Sequence, residues 1–294
     1  MNNRIERLRK LLAQPEIIRS FAPHDVLTAR VLENVGIEML FLGGFGVSAS
    51  LLGLPDVGLT TLTEMTDVVR RMTDRISVPL IADGDTGHGN LRNVARTVRE
   101  FERAGAAGIL LEDQVSPKRC GHFDGKSVVS PEAMLDRLRA AQDARCDPDF
   151  VIIARTDARA VEGFDAAVER ANRYGAAGSD ICFVEAPQSR AELEQLPELV
   201  PYPQLANMLP GGTTPILSAS ELQTFGFRIV VDPISTLAAT AHIVQQLGQA
   251  MISDGRVDAL AASMSSFDEI KRLLGLDSLL SPGEVRTNRD NHHC

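Results

Sequence analysis

Short apolar runs rich in Ile, Val and Leu alternate along the chain with longer segments whose apolar residues recur at helical spacing. The segments 90–105 and 130–145 are predicted to be helices, because Asn90 and Ser130 occupy cap positions and Gly105 ends the first of them. The apolar runs, most of them ending in polar residues, are predicted to be eight strands: 17–25, 39–44, 79–85, 108–113, 150–157, 181–187, 203–208 and 228–233.

Eight strand–helix units in 294 residues favour an α/β fold of the (β/α)8 TIM-barrel type over a doubly wound sheet. Hydrophobic residues make up 44% and charged residues 23% of the chain, which excludes disordered, collagen-like and coiled-coil proteins. No linker rich in Pro, Gly or Ser divides the sequence. We therefore expect a single barrel domain over 1–280, with an N-terminal helix and a C-terminal helical extension, and a polar tail over 281–294.

The charge balance and the cysteines indicate which binding partners and which cellular compartment to expect. Thirty Lys and Arg against 39 Asp and Glu give a net charge of -9 without any basic run, which argues against nucleic-acid binding. The apolar stretches are strand-sized, well short of the roughly 20 residues that span a bilayer, so no membrane association is expected. The start of the chain lacks a secretory apolar core, and the four cysteines show no CxxC pairing. These features predict a cytoplasmic protein with reduced thiols.

Acidic residues collect where the predicted strands end, which in a TIM barrel is the rim that carries catalysis. Carboxylates without clustered His or Cys are typical ligands of Mg²⁺, with Mn²⁺ as the alternative. Asp83 and Asp85 lie two residues apart at one strand end, although such a pair also occurs in ordinary turns. Glu112, at the next strand end, strengthens the metal interpretation. We predict one divalent ion at Asp83, Asp85 and Glu112.

The segment 114–130 is a long connection between a strand and a helix, a length typical of lids and binding loops. Within it, Cys120 is flanked by Lys118, Arg119 and His122. Such neighbours stabilise a thiolate and tune the group for proton transfer. The alternative is a basic surface loop with an incidental cysteine. A zinc site is disfavoured because no further soft ligands accompany the thiol.

Two glycine-containing segments follow other predicted strands. Gly43, Gly44 and Phe45 belong to a segment whose successive glycines could present backbone N–H groups to an anion, or could simply form a tight turn. Asn207 and the following segment 211–214 could likewise bind a carboxylate or make a turn.

Six segments of the chain together resemble the motifs of a known family, in the same order and over about residues 17–275. They are SASLLGLPDVGL, PLIADGDTGHGN, GAAGILLEDQVSPKRCGH, FVIIARTDA, FVEAP and ANMLPGGTTP. The chain resembles the isocitrate lyase/phosphoenolpyruvate mutase superfamily, and its intact KRCGH sequence resembles the lyase branch. The resemblance implies a (β/α)8 barrel whose last helix is exchanged with a neighbouring subunit, in a homotetramer built as a dimer of dimers.

The resemblance also implies roles for individual residues. Asp83 would ligate Mg²⁺ directly, while Asp56, Asp85 and Glu112 would hold its water shell. Lys118, Cys120, Gly121 and His122 match the lid of the carbon–carbon lyases, in which the cysteine is the general acid/base. Substrate carboxylates would be contacted or oriented by Arg155, Glu185 and Asn207, with the loop at Gly43, Gly44 and Phe45 as the carboxylate-binding loop.

Within the lyases, the chain resembles the group of 2,3-dimethylmalate lyase, petal death protein and oxaloacetate hydrolase more than the methylisocitrate lyases. Many relatives begin the carboxylate loop with Ser-Gly where this chain has Gly43 and Gly44, and the segment 235–239 lacks the arginine that methylisocitrate lyases carry there. The function implied is Mg²⁺-dependent retro-aldol cleavage of a small 2-hydroxy dicarboxylate, of 2-alkylmalate or dimethylmalate type.

Four alternatives remain beside that function. The same metal site would serve an oxaloacetate hydrolase or decarboxylase, or a methylisocitrate lyase acting on a tricarboxylate. A phosphonate-forming mutase is disfavoured by KRCGH, and a non-catalytic barrel that only binds a ligand is disfavoured by the complete set of polar positions.

Overall fold

The computed structural model describes residues 3–123 and 125–280. Its strands are β1 Ile18–Phe21, β2 Met39–Leu42, β3 Leu80–Asp83, β4 Gly108–Glu112, β5 Val151–Thr156, β6 Ile181–Val184, β7 Leu205–Asn207 and β8 Ile229–Asp232. Its helices are α1 Asn3–Ala13, α2 Val26–Asn34, α3 Gly44–Val47, α4 Leu62–Thr73, α5 Leu91–Arg103, α6 Pro131–Ala144, α7 Ala158–Val161, α8 Phe164–Ala176, α9 Arg190–Leu199, α10 Ala219–Phe225, α11 Ser235–Asp254, α12 Phe267–Leu274 and α13 Leu276–Leu280. A π-helical turn at Ser48–Leu52 and a 3-10 helix at Asp258–Ser263 complete the order.

The strands form one parallel sheet that closes on itself. Their order is β6-β5-β4-β3-β2-β1-β8-β7, with β1 paired to both β2 and β8. The two ends of this order meet at a single parallel bridge between Cys182 and Gln204, where the Cys182 amide donates to the carbonyl of Pro203 over 2.8 Å. The predicted (β/α)8 barrel is therefore confirmed, and all eight predicted runs contain a strand.

The two helices singled out in the sequence begin where their caps predict. The Asn90 side chain accepts hydrogen bonds from the amides of Arg92 and Asn93, and α5 follows. Ser130 accepts from the amide of Ala133 and begins α6. Their apolar faces are buried, so the helices cover the strands and leave the carboxyl ends of the barrel open to the connecting loops.

The core is built from aliphatic side chains on strands that are covered on both faces. Every residue of β3, β4 and β6 is buried. Only a few aromatic rings are fully enclosed, with Tyr174, Phe101 and Phe150 the largest of them. Ile5 and Leu8 of α1 are also buried, as expected for an N-terminal helix that belongs to the barrel.

The chain divides into two compact units, one ending at Thr236 and the other beginning at Leu237. In the second unit no described residue is buried, and large apolar side chains are exposed, including Ile252 at 89% and Phe267 at 78%. A single domain over 1–280 stays a prediction, and the tail over 281–294 lies outside the described residues. Among the helices of the described ranges, none has the length and apolar character to cross a membrane.

Candidate functional site

A cavity of about 440 Å³ lies at the carboxyl ends of the strands, beneath residues 118–123. These residues belong to the connection between β4 and α6, whose described residues, 114–123 and 125–130, we call the lid. Its charged and amide side chains, which we call the polar wall, are those of Asp56, Asp83, Glu112, Lys118, Arg155, Glu185 and Asn207. Its apolar side chains, which we call the apolar wall, are those of Phe41, Phe45, Phe183, Leu205, Leu209, Pro210, Val231, Pro233 and Ile234. Cys120, Gly121 and His122 lie over the cavity on the lid.

Lys118 is the buried cation at the centre of the acidic cluster. Its Nζ lies 2.7 Å from Asp56 Oδ2 and 2.7 Å from Asp85 Oδ1, with 6% of the side chain exposed. A Cβ on Gly44 would lie 3.2 Å from the same Nζ, a tight contact that would require the ammonium to shift slightly. Lys118 therefore joins the lid to two of the predicted metal-site residues and to the glycine loop.

Two carboxylates of this cluster, Asp85 and Glu112, hold their protons more tightly than they would in water. Burial raises the pKa of Asp85 to about 6, with Asp83 and Asp56 adding to it against the opposing effect of Lys118. Burial also raises the pKa of Glu112 well above its ordinary value, despite Arg155. Burial alone would lower the pKa of Lys118, but the surrounding carboxylates raise it well above its ordinary value.

Arg155, the penultimate residue of β5, is held between three carboxylates. Its Nε and Nη2 donate to Asp157 over 2.8 and 3.0 Å, a two-pronged contact that fixes the plane of the guanidinium. Glu112 Oε2 lies 3.5 Å from Nε, and Glu185 Oε2 lies 3.6 Å from Nη1. The Phe183 ring, centred 5.5 Å from the guanidinium carbon, supports its other face.

Glu185, just after β6, connects the lid to the strands. Its Oε1 lies 2.9 Å from His122 Nε2 and accepts a hydrogen bond of 3.3 Å from the Asn207 amide. Burial would raise the pKa of Glu185, but Arg155 and His122 outweigh it and hold the pKa below its ordinary value. Glu185 is therefore a buried, ionised carboxylate that orients an imidazole and an amide at the cavity.

The lid is fixed to the barrel at both ends. Arg137 donates to the carbonyls of Glu112 and Gln114 over 2.8 and 3.1 Å, and Arg170 donates to the carbonyl of Val129 over 2.8 Å. The Gln114 side chain bonds the backbone of Arg119 in both directions, over 2.9 and 3.0 Å. These contacts place the KRCGH segment above the cavity.

Gly121 is where the lid approaches the site most closely. A Cβ at this position would lie 2.3 Å from Arg155 Nη2 and 2.8 Å from Glu185 Cγ, so only glycine fits at this position of the lid. The neighbouring Cys120 amide donates to the Asp56 carbonyl over 3.2 Å. The thiol is thereby held at the edge of the polar wall.

The expectation that the neighbours of Cys120 stabilise a thiolate is not supported by the environment of the sulfur. Burial raises the pKa of the Cys120 thiol, although the His122 amide and Arg155 act in the opposite direction. The physical reason is that Lys118 points at carboxylates rather than at the sulfur, and Arg119 is exposed. At neutral pH Cys120 is a protonated thiol, the form that can donate a proton.

The glycine loop does not present all its amides to the cavity. The Gly44 amide lies 3.3 Å from Asp83 Oδ2 and donates to it, so it serves a carboxylate of the protein. At Gly43 a Cβ would meet only Phe41 Cε1, at 4.0 Å, and a serine side chain would fit. Gly212, in the segment predicted as a second anion loop, packs beside His122, since a Cβ there would lie 2.9 Å from Nδ1.

The acidic cluster fits a hydrated divalent cation. Carboxylates outnumber the cations around it, and among the described residues Glu112 Oε1 is buried with no hydrogen-bond partner. In the same part of the chain, no three side chains of the types that ligate metals converge as a ready-made cage. Hard oxygen donors set around a buried space suit Mg²⁺ held largely through water molecules.

The structure brings together every site residue predicted from the sequence except Asp85, which lies behind the cavity surface but contacts Lys118. Three further residues of this region were not assigned: Lys126 of the lid, Asp157 and Asp113. Asp157 and Asp113 were visible as polar residues following strands. Their roles depend on side-chain pairing across strands, for which the sequence carries no periodic signal.

Comparison with known proteins identifies the class. The family model described as phosphoenolpyruvate phosphomutase matches residues 8–252. The 2,3-dimethylmalate lyase of Eubacterium barkeri is 42% identical over 277 residues, covering 94% of this chain and 96% of that enzyme. The 2-methylisocitrate lyase of Shewanella oneidensis is 40% identical over 269 residues, covering 92% of each chain.

Solved structures of similar fold come from the same class of enzymes. A crystal structure of 2,3-dimethylmalate lyase matches with a TM-score of 0.89 at 35% identity, over 95% of this chain and 94% of that one. Oxaloacetate acetylhydrolase in complex with the inhibitor 3,3-difluorooxalacetate matches with a TM-score of 0.88 at 33% identity, over 95% of both chains. A phosphonopyruvate hydrolase bound to oxalate and Mg²⁺ has a TM-score of 0.85 at 29% identity, over 95% of this chain and 97% of that one.

The protein is thus an enzyme, a lyase built on a TIM barrel. It belongs to the phosphoenolpyruvate mutase/isocitrate lyase superfamily, as the motifs in its sequence indicated.

Proposed function

We propose that this protein is a Mg²⁺-dependent carbon–carbon lyase that cleaves a 2-hydroxy dicarboxylate of the 2-alkylmalate or dimethylmalate type into a 2-oxo acid and a carboxylate. The observation that carries the proposal is the position of Cys120 on the lid, above a cavity lined by both acidic and apolar side chains. The likeness to 2,3-dimethylmalate lyase supports it. Dimethylmalate itself would give pyruvate and propionate.

The metal would be held by Asp83, with Asp85 and Glu112 positioned to bind its water shell and Asp56 beside them. Mn²⁺ would suit the same oxygen donors. When bound, Mg²⁺ supplies Lewis acidity toward the C1 carboxylate and the C2 oxygen of the substrate. Lys118 keeps Asp56 and Asp85 in place from the opposite side through its two contacts of 2.7 Å.

The C2 hydroxyl gives its proton to a carboxylate of the acidic cluster, and the electron pair left on its oxygen forms the C2=O bond of the 2-oxo acid as the C2–C3 bond breaks. The electrons of the broken bond stay on C3, delocalised into the neighbouring carboxylate. Arg155, His122 and Asn207 surround the place where this second negative charge develops, and each can donate a hydrogen bond to it. Cys120 donates the proton that C3 requires, which completes the carboxylate product. Gly121 allows the lid to lie directly on Arg155 and Glu185, so that water is excluded before the bond breaks.

The apolar wall supports a substrate with alkyl groups. Leu205, Val231 and Ile234 offer no hydrogen-bonding side chain to a third carboxylate. Among the described cavity residues, the lysine and arginine side chains are those of Lys118, Arg119 and Arg155, and Lys118 and Arg155 are already paired with carboxylates of the protein. This arrangement favours a dicarboxylate over the tricarboxylate 2-methylisocitrate.

A substrate panel tests the proposal. The protein is incubated with Mg²⁺ and either 2-alkylmalates, 2-methylisocitrate or oxaloacetate, and pyruvate, glyoxylate and oxalate are measured separately. Pyruvate from 2,3-dimethylmalate, lost on chelation of the metal, is the expected result. No turnover on any diacid, together with no thermal stabilisation by Mg²⁺, would indicate a non-catalytic barrel.

Oxaloacetate hydrolase activity is the second candidate, favoured by the likeness to oxaloacetate acetylhydrolase at a TM-score of 0.88. Oxalate and acetate from oxaloacetate would identify it, whereas pyruvate and CO₂ would identify a decarboxylase. Phosphorus NMR with phosphoenolpyruvate tests for a mutase.

We also propose that the protein acts in the cytoplasm as a homotetramer that exchanges its last helix between subunits. The second unit supports this assembly, because its described residues include many exposed apolar side chains, such as Val244 at 58% and Ile252 at 89%. Sedimentation of the purified protein measures the oligomeric state.

A further inference from the structure

Lys126 lies in the lid, yet its side chain is buried. Its neighbours Gly125 and Ser127 are exposed, whereas only 3% of the Lys126 side chain is accessible. A lysine ammonium is rarely removed from water without a partner, because the cost of desolvation is several kcal/mol. The burial therefore needs specific partners, and the structure supplies two.

The first partner lies within the lid and the second on the barrel. Lys126 Nζ donates to the carbonyl of Gly121, the residue that lies on Arg155 and Glu185. It also donates to Asp157 Oδ1 over 3.0 Å. One ammonium group thus ties the part of the lid nearest the cavity to the residue that follows β5.

Asp157 is a fully buried junction. Its Oδ2 accepts from Arg155 Nε, and its Oδ1 is shared between Arg155 Nη2 and Lys126 Nζ. Its backbone amide donates to Asp113 Oδ1 over 2.9 Å, and Asp113 Oδ2 in turn accepts from the Tyr174 hydroxyl at 2.9 Å. The backbone of Asp157 is therefore held by Asp113, while its carboxylate holds Arg155 and the lid.

We propose that Lys126 and Asp157 form a latch that keeps the lid closed and couples closure to the orientation of Arg155. Both are positioning residues, since neither lines the cavity. When the lid opens, Arg155 loses a neighbouring cation at Asp157, and the shared carboxylate is free to reorient. The closed lid and the correctly oriented guanidinium therefore form together. The effect on turnover rests on the proposed function, but the latch itself does not.

The rate of alkylation of Cys120 by iodoacetamide measures lid opening without metal or substrate. Lys126→Met removes both latch bonds while keeping a chain of similar length. We expect the Cys120 rate to rise about tenfold or more, the effect of losing a charge-assisted hydrogen bond on the open fraction. Loss of a nearby cation in a lid that stayed closed would instead raise the thiol pKa and slow the reaction, so the sign separates the two effects.

Two controls accompany this measurement. Peptide mass spectrometry follows Cys146, an exposed thiol, in the same sample, and its rate should not change. Lys10→Met alters a lysine with 71% of its side chain exposed and should leave both rates unchanged. A Cys120 rate within twofold of the parent in Lys126→Met would overturn the latch.

Asp157→Asn and the double variant test the coupling. If both residues act through one bond, the double variant opens the lid no further than the more open single variant. If the increases in alkylation rate of the two single variants multiplied in the double variant, the two residues would act independently and the shared latch would be contradicted. If Lys126→Met fails to fold, Lys126→Gln is measured instead, because it keeps a donor for the Gly121 carbonyl. The Cys120 alkylation rate should again rise, and a rate within twofold of the parent would again overturn the latch. If the parent turns over none of the panel substrates, the alkylation result still decides the latch.

Discussion

The two walls of the cavity are built from different parts of the barrel and by different physical means. The polar wall is drawn mainly from the ends of β3 to β7 and from the lid, and its charged groups are each held by a partner, as in the contact of Arg155 with Asp157. Much of the apolar wall follows from β7 and β8, and it is held by packing alone. Directional bonds make the first wall intolerant of change, whereas packing allows the second to be reshaped. We therefore expect the polar wall to determine the reaction and the apolar wall to determine the substrate.

The largest effect is expected from the sulfur of the lid. Cys120→Ser replaces a protonated thiol by a hydroxyl that is a far weaker acid, and kcat should fall about 10³-fold. Binding of Mg²⁺ and oxalate, measured by calorimetry, should stay near that of the parent, because the polar wall is untouched. Unchanged turnover would remove Cys120 from the role of proton donor.

Closure of the lid on the polar wall is the next target. In Gly121→Ala the new Cβ would lie 2.3 Å from Arg155 Nη2, and Asp157 prevents the guanidinium from retreating. A displaced lid should lower kcat/KM about 10²-fold. Gly248→Ala is the matched control, because no atom lies within 4 Å of its Cβ position. Equal kinetics for the two variants would show that the lid does not close as described.

The charge of the polar wall should appear as a pH dependence of metal binding. A protonated carboxyl is a poor ligand, so the affinity for Mg²⁺ falls as the pH drops through the pKa of Asp85, which is about 6. Calorimetric titrations at about pH 8 and about pH 5 should differ at least tenfold in Kd, an effect that grows with each proton displaced. A Kd for Mg²⁺ that does not change with pH over this interval would show that Asp85 and Glu112 do not take part in metal binding.

The smallest effect, and the most selective one, is expected on the apolar wall. Ile234→Ala enlarges the cavity where alkyl groups of the substrate would pack, and kcat/KM for 2,3-dimethylmalate should fall about tenfold. Turnover of oxaloacetate should change much less, because it has no alkyl branch. Leu199→Ala, an exposed position on α9, is the control. An equal fall in kcat/KM for both substrates would show that the apolar wall does not determine substrate preference.

The same contrast explains what the sequence could predict. The barrel could be predicted from the periodicity and the number of units, because most strands contain an apolar run and several helices begin at a side-chain cap, as α5 and α6 do. Most polar-wall residues followed from the rule that function collects at strand ends, as with Asp83, Glu112 and Arg155. Asp56 and Lys118 lie outside strands. Only the family resemblance pointed to Asp56, whereas Lys118 was also indicated by its position beside Cys120.

Other parts of the site depend on tertiary contacts that no local pattern encodes. Lys126 reads as one more charged loop residue, and its burial depends on Asp157, which is 31 residues away. The neighbours of Cys120 in sequence are not the groups around its sulfur, since Lys118 pairs with Asp56 and Asp85 and burial raises the pKa of the thiol. Apolar-wall residues such as Val231 and Leu205 look like any core strand residue until the barrel closes.

The closure of the barrel between β6 and β7 has a mechanical consequence. Within the described residues, only the Cys182–Gln204 bridge joins these strands by backbone pairing, whereas β4 and β5 are in register over five residue pairs. Glu185 and Asn207 stand on opposite sides of this seam, and their 3.3 Å hydrogen bond crosses it. The cost of local opening follows the number of bonds broken, so the seam is the most compliant part of the rim. Small changes in the width of the cavity are thus concentrated where an ionised carboxylate and a polar amide face the substrate.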